Sequence, residues 1–115
     1  MGALTTHILD TASGKPAADV LIDLYRLDDQ AERLSSALTN EDGRCAAPLI
    51  DGDDFQPGEY ELVFHVGDYF RKTGMNLPDP AFLDHVVIRF GISGDEHYHV
   101  PLLISPFGYS TYRGS

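Results

Sequence analysis

Short segments of alternating apolar and polar residues, separated by turn sequences, constrain the fold of this chain more than any other feature. Residues 4–10 alternate cleanly, and residues 59–66 place large apolar side chains at every second position. Turn-forming residues follow at 11–16 and 40–43. Because side chains alternate between the two faces of a strand, this pattern predicts an all-β fold, an antiparallel β-sandwich.

The predicted strands cover residues 4–10, 19–27, 33–39, 59–66, 83–90, 97–104 and 109–112, with a brief further strand within 44–49. Residues 19–27 alternate less cleanly than the others. Residues 67–74 form the one predicted helix, with Asp68 near its start, Arg71 and Lys72 near its end and Gly74 as its cap. The sequence therefore predicts seven to eight strands and one short helix in a single domain, residues 1–115.

The composition narrows the classes of partner. A net charge of −10 disfavours nucleic acid and anionic membranes as partners. No apolar run approaches the roughly 18 residues of a membrane span, and the first ten residues lack the basic start and apolar core of a signal peptide. The lone Cys45 rules out an internal disulfide and suits a reducing compartment. We therefore expect a cytoplasmic protein without nucleic-acid or membrane partners.

Two histidines near the C-terminus are the first candidate site. His97 and His99 share one face of a predicted strand, with Cβ atoms roughly 7 Å apart. Such a pair can bind a metal, with His7 as a third ligand; it can supply a base and an orienting partner for hydrolysis; or it can form a solvated strand face. No cysteine or carboxylate stands at ligand spacing beside the pair, which weakens the metal interpretation.

Other polar residues are not diagnostic when they are taken singly. His7 alone would more often be a surface or partner-bonded histidine, and Arg44 alone a solvated loop residue. Arg113 could equally pair with any of the 18 carboxylates, and Ser115 alone indicates nothing. The chain has no glycine-rich phosphate loop and no G-x-S-x-G nucleophile motif.

Several motifs along nearly the whole chain change this assessment when they are taken together. They are LTTHILDT at residues 4–11, GKPA at 14–17, TNEDGR at 39–44, YF at 69–70 and HYHVPLLISPFGYSTYRGS at 97–115. With these motifs the chain resembles the transthyretin-like family and, within it, the 5-hydroxyisourate hydrolases of urate degradation. The terminal YRGS and the second histidine of His-x-His look like the features that separate the hydrolases from the hormone-carrying transthyretins.

The resemblance implies a transthyretin-like sandwich that assembles as a homotetramer, a dimer of dimers with its active sites in a central channel. It implies hydrolysis of 5-hydroxyisourate, assisted by histidine, with no cofactor and no metal. A carrier of small ligands without catalysis is the alternative function. The resemblance carries over two sets of site residues: catalytic His7, His99 and Arg44, and substrate-binding His97, Tyr112, Arg113, Gly114 and Ser115.

Overall fold

The structure, a computed structural model that describes residues 2–114, consists of two β-sheets and one short α-helix. In chain order the elements are β1 (Ala3–Asp10), β2 (Lys15–Pro16), β3 (Leu21–Leu27), β4 (Ala31–Leu38), β5 (Ile50–Asp51), β6 (Gly58–Phe64), α1 (Val66–Lys72), β7 (Val86–Ile92), β8 (Tyr98–Ser105) and β9 (Gly108–Thr111). A single 3₁₀ turn, Gly52–Asp54, follows β5. The predicted all-β sandwich with one short helix is confirmed.

The first sheet has the strand order β2-β1-β8-β9, with β5 also paired to β1, and the second has the order β4-β3-β6-β7. Neighbouring strands are antiparallel except for β1 and β8, which are parallel from Leu4 opposite Tyr98 to Asp10 opposite Ile104. The predicted antiparallel sandwich therefore contains one parallel pair of strands. Alternation identifies the buried face of a strand but not its direction, so the sequence pattern gave no signal for it.

Alternation in β1 explains how the sandwich presents polar groups on one face. Leu4 and Ile8 point inward and are fully buried, whereas Thr5 and His7 on the alternate positions are only partly buried. The same alternation fills the core from the other long strands, with Ile22, Leu24, Tyr60, Leu62, Phe64, Leu102 and Ile104 all fully buried. The outer face of β1 is therefore free to carry functional side chains next to β8.

The boundaries of several elements differ from the predicted ones. The brief strand expected within 44–49 does not form; Arg44 makes one isolated bridge to His7, and the strand forms later as β5. The second predicted strand begins at Leu21 rather than at Asp19, because Asp19 has a positive φ of 60° that interrupts extended backbone. The pairing of β3 with β4 shifts register between Leu24 and Tyr25, which accounts for the unclean alternation in that segment.

The remaining shifts are small. The strand expected at 83–90 runs from Val86 to Ile92, and the helix expected at 67–74 runs from Val66 to Lys72. The strand expected from His97 begins one residue later, at Tyr98. Neither helical segment within residues 2–114 has the length and apolar character needed to cross a membrane.

Candidate active site

The parallel pairing of β1 with β8 brings two distant histidines together. Thr5 lies directly opposite His99 in the register, and His7 follows two positions later on the same face. The Nδ1 atom of His7 lies 2.8 Å from Nε2 of His99, and the ring centroids are 5.0 Å apart with planes inclined by 19°. At this distance the two facing nitrogens share one proton in a hydrogen bond.

A threonine extends this pair to a third imidazole. The Thr5 hydroxyl oxygen is 2.8 Å from Nδ1 of His99 and 3.0 Å from Nε2 of His97. The rings of His97 and His99 are nearly parallel, inclined by 12° with centroids 6.5 Å apart, as expected for side chains on one face of a strand. The result is a continuous hydrogen-bonded chain from His7 through His99 and Thr5 to His97.

Arg44 reaches the site through the tight turn that precedes it. The side-chain oxygen of Asn40 accepts hydrogen bonds from the backbone N–H groups of Asp42 and Arg44. Gly43 has a φ of 71°, and a Cβ atom there would lie 2.4 Å from the carbonyl oxygen of Ile8, so a side chain at this position would clash with β1. The turn therefore fits tightly against β1 and places Arg44 in an antiparallel bridge with His7.

Burial and the nearby guanidinium favour neutral imidazoles at the site. Burial, followed by the positive charge of Arg44, lowers the pKa of His7 below its ordinary value. Burial also lowers the pKa of His99, with smaller effects from His7, Arg44 and His97. A neutral imidazole has one N–H donor and one lone pair, so each ring of the pair can both give and accept a proton near neutral pH.

These side chains line an open pocket of about 490 Å³. Its walls are formed by Thr5, Thr6, His7, Arg44, Cys45, His97, His99, Tyr112 and Gly114. Among these lining residues there is no acidic side chain. Residues 2–114 contain no group of three or more histidine, cysteine, aspartate or glutamate residues arranged to hold a metal ion.

The C-terminal segment closes one side of the pocket through its backbone. The Gly114 N–H donates a 2.7 Å hydrogen bond to the carbonyl oxygen of His99. A Cβ atom at Gly114 would lie 2.8 Å from Cδ2 of His99 and 3.3 Å from Cγ of Pro101, so only glycine fits without displacing the imidazole. Tyr112 lines the pocket with its side chain largely exposed, and Ser115 lies outside the described residues.

The Arg113 side chain, by contrast, is directed elsewhere. Its guanidinium donates hydrogen bonds to the Glu96 carboxylate at 3.0 Å and to the His97 carbonyl at 3.2 Å. The same group lies 3.9 Å above the ring of Tyr98. Arg113 is not among the residues that line the pocket. The side chain contacts the backbone at His97 and does not enter the pocket.

Three residues of the pocket wall were missed as site residues in the sequence. Thr5 shares a face with His7 two positions away, so the alternation of β1 could have identified it. Thr6 points the other way and donates to the Val100 carbonyl at 2.6 Å. Cys45 is partly buried and packs against the core. Burial raises the pKa of its thiol, which keeps it protonated.

The chain is similar to known proteins along nearly its whole length. The sequence model of the HIUase/Transthyretin family matches residues 4–114. A 5-hydroxyisourate hydrolase of Pseudomonas aeruginosa is 61% identical, over an alignment that covers 100% of this chain and 93% of that relative. The identity is far above what is needed to establish a common family.

Solved structures share the same fold. A 5-hydroxyisourate hydrolase of Klebsiella pneumoniae has a TM-score of 0.84 and 37% identity, with 100% of each chain covered. An (S)-allantoin synthase has a TM-score of 0.93 and 45% identity, but this chain spans only 44% of it. Sea bream transthyretin, solved in complex with thyroxine, has a TM-score of 0.87 and 27% identity over 97% of this chain and 94% of that one. The chain belongs to the HIUase/Transthyretin family.

Proposed function

We propose that this chain hydrolyses 5-hydroxyisourate to 2-oxo-4-hydroxy-4-carboxy-5-ureidoimidazoline, a ring-opening step of urate degradation. The observation that carries the proposal is the 2.8 Å hydrogen bond between His7 and His99, two imidazoles held neutral beside Arg44 in an open pocket. The similarity to relatives that are named 5-hydroxyisourate hydrolases supports the same activity.

The chemistry of the reaction matches what the pocket offers. The oxygen of a water molecule bonds to the carbonyl carbon of a cyclic amide, the carbon–nitrogen bond breaks, and the proton removed from water ends on the leaving nitrogen. The net change is the addition of water across the carbon–nitrogen bond, with proton transfer but without oxidation or reduction. A pair of groups that accept and donate a proton near neutral pH is therefore sufficient in principle, and a positioned acid–base group contributes about 10²–10⁴-fold to the rate.

In this scheme the catalytic residues are His7, His99 and Arg44. The hydrogen-bonded imidazoles activate the water and return its proton to the leaving nitrogen. The positive charge of Arg44 orients the substrate and stabilises the oxyanion that develops on the attacked carbonyl. No cofactor takes part in the proposed steps.

The proposed substrate-binding residues are those of the C-terminal segment together with His97. Tyr112 and Gly114 line the pocket and would contact the flat ring of the substrate. Arg113 and Ser115 are proposed to bind the carbonyl and amide edges. For Arg113 this requires the guanidinium to leave Glu96, an exposed ion pair of low stability.

We further propose that the chain works in the cytoplasm as a homotetramer. Strands β7 and β9 are sheet edges, and Val87 and Tyr109 on them are apolar side chains exposed to solvent, as is neighbouring Phe107. Edge strands with exposed apolar groups favour pairing with a second copy. Light scattering combined with the activity assay tests the assembly: an active monomer of 12.7 kDa would contradict it.

The alternative function is a carrier of small ligands, and the likeness to thyroxine-bound sea bream transthyretin is the observation in its favour. The ultraviolet decay of freshly prepared 5-hydroxyisourate separates the two functions. A hydrolase accelerates the decay in proportion to protein concentration, whereas a carrier leaves the rate constant unchanged. A variant truncated before Tyr112 is the matched comparison: it should remain folded and lose most of the acceleration.

A further inference from the structure

Thr5 lies between His99 and His97 in the hydrogen-bonded chain of side chains. It lies on β1 opposite His99, and its hydroxyl contacts Nδ1 of His99 at 2.8 Å and Nε2 of His97 at 3.0 Å. A threonine on the outer face of a strand normally meets water. Here the hydroxyl instead connects two imidazoles, one of which is bonded through its other nitrogen to His7.

The hydrogen bonds between these side chains link the tautomers of the three imidazole rings. A hydroxyl has one proton and two lone pairs, so it can donate to one ring while accepting from the other. If Nδ1 of His99 carries the proton and donates to Thr5, then Nε2 of His99 has a lone pair and accepts from Nδ1 of His7. His7 is then left with a lone pair on Nε2, the nitrogen that His99 does not occupy.

The opposite arrangement has the opposite consequence for catalysis. If Nε2 of His99 carries the proton, it donates to Nδ1 of His7, and the single proton of a neutral His7 must move to Nε2. His7 then presents an N–H in place of a lone pair and cannot take a proton from water. The nitrogen of His99 that carries the proton therefore decides whether His7 is a base or an acid.

We propose that Thr5 is a positioning residue whose hydroxyl holds the proton of His99 on Nδ1 and so keeps His7 ready as the base. Thr5 then donates its own proton to Nε2 of His97, which joins His97 to the pair without contact to the reacting atoms. This assignment gives His97 a role through Thr5, and it rests on the proposed hydrolase function for its effect on rate. The position of the proton on His99 does not depend on that function.

The first experiment measures the proton positions in the absence of substrate. Nitrogen-15 NMR of the histidine rings distinguishes the Nδ1–H from the Nε2–H form of a neutral imidazole. We expect the Nδ1–H form for His99 in the wild type and in Thr5→Ser, and the Nε2–H form in Thr5→Val. Thr11→Val is the matched control, because it removes a hydroxyl that donates to the Ile104 carbonyl away from the rings. An unchanged His99 tautomer in Thr5→Val would overturn the proposal.

The second experiment measures the rate. Residues that orient a catalytic or ligating imidazole typically contribute about 10- to 100-fold, so Thr5→Val should lower kcat by about that factor with KM little changed. Thr5→Ser should restore most of the rate, since it keeps the hydroxyl, and Thr11→Val should match the wild type. A fall in Thr5→Val that Thr5→Ser shares would contradict the role of the hydroxyl. An inactive wild type with the expected tautomers would reject the hydrolase function and leave the proton assignment standing.

Discussion

The molecule carries two histidine clusters, one next to each sheet, and they differ in what lies beside the imidazoles. In the first sheet, His7, His97 and His99 bond to each other and to a threonine, next to Arg44. At the end of the second sheet, His65, which directly follows β6, bonds through Nε2 to the Asp23 carboxylate at 3.0 Å. The ring of His85, which directly precedes β7, packs against it with centroids 4.3 Å apart. One cluster therefore has a cation as its charged neighbour, and the other an anion.

We propose different roles for the two clusters on the basis of this difference. Burial alone would raise the pKa of Asp23, but hydrogen bonds from Ser36 and His65, together with the charges of His65 and Arg33, lower it. The Asp23 carboxylate thus remains charged and connects β3 to β4, whose Ser36 hydroxyl donates to it at 2.7 Å, and to His65 just after β6. In the His7–His99 pair the pKa values are also lowered, and for an imidazole a lower pKa favours the neutral form, which the proposed proton transfer requires. Under the proposed function, the first cluster is therefore catalytic and the second is structural.

The largest expected difference between the clusters is in catalysis. His99→Ala removes the centre of the hydrogen-bonded chain and should lower kcat/KM by about 10²–10⁴-fold, the usual contribution of an acid–base group. His85→Ala, in the second cluster, should stay close to the wild type. Both variants should keep the circular dichroism spectrum of the fold. An active His99→Ala, or an inactive but folded His85→Ala, would erase the distinction.

The second difference concerns stability. Asp23→Asn removes the charge that Ser36 and His65 bond to, and hydrogen bonds to a charged group are worth about 2 kcal/mol, so the free energy of unfolding should fall by about that amount at pH 7. Because the pKa of Asp23 is lowered by folding, its stabilisation is present above the ordinary value of 3.8 and is lost as the pH falls through the folded value. Urea unfolding at several pH values measures this, and kcat should not change.

A smaller effect is expected at Gly114, where an added Cβ atom would lie against the ring of His99. Gly114→Ala places a methyl group against Cδ2 of His99, and overpacking costs about 1–3 kcal/mol, so kcat/KM should fall by about 10-fold as the ring is displaced. Gly94→Ala is the control, because a Cβ there meets no atom within 4 Å and should leave the rate unchanged. Equal rates for the two alanine variants would show that the C-terminal segment does not position His99.

The sequence predicted the sandwich from alternation, and alternation also placed His97 and His99 on one face. Alternation could not predict that His7 contacts His99, because that contact depends on the parallel pairing of β1 with β8, strands that lie more than 80 residues apart. Only the resemblance to the family placed both histidines in one site. The resemblance to the family identified Arg44 as a site residue, and the bridge to His7 gives the physical reason for its place. The direction of the Arg113 side chain depends on its contact with Glu96, which no local pattern indicates.

The smallest expected effect is on the pH dependence of the rate. The pKa values of His7 and His99 are lowered in part by the charge of Arg44, so a neutral residue there should let them rise toward 6.5. In the pH profile of kcat/KM, Arg44→Gln should therefore shift the decline at acidic pH (the acid limb) to higher pH. It should also slow the reaction. Arg89→Gln, which loses only an exposed ion pair with Glu59, should leave the limb in place. A limb that does not move in Arg44→Gln would reject the electrostatic role of that guanidinium.

The account depends most on the neutral imidazole pair acting as the base. The direct test is to titrate the rings of His7 and His99 by nitrogen-15 NMR in the wild type and to measure the acid limb of kcat/KM over the same pH range. We expect the coupled pair to titrate below 6.5 and the rate to be lost with the same apparent pKa values, since protonation removes the lone pair that accepts the proton from water. Titration above 6.5, or a rate lost at a pH at which both rings are still neutral, would contradict it.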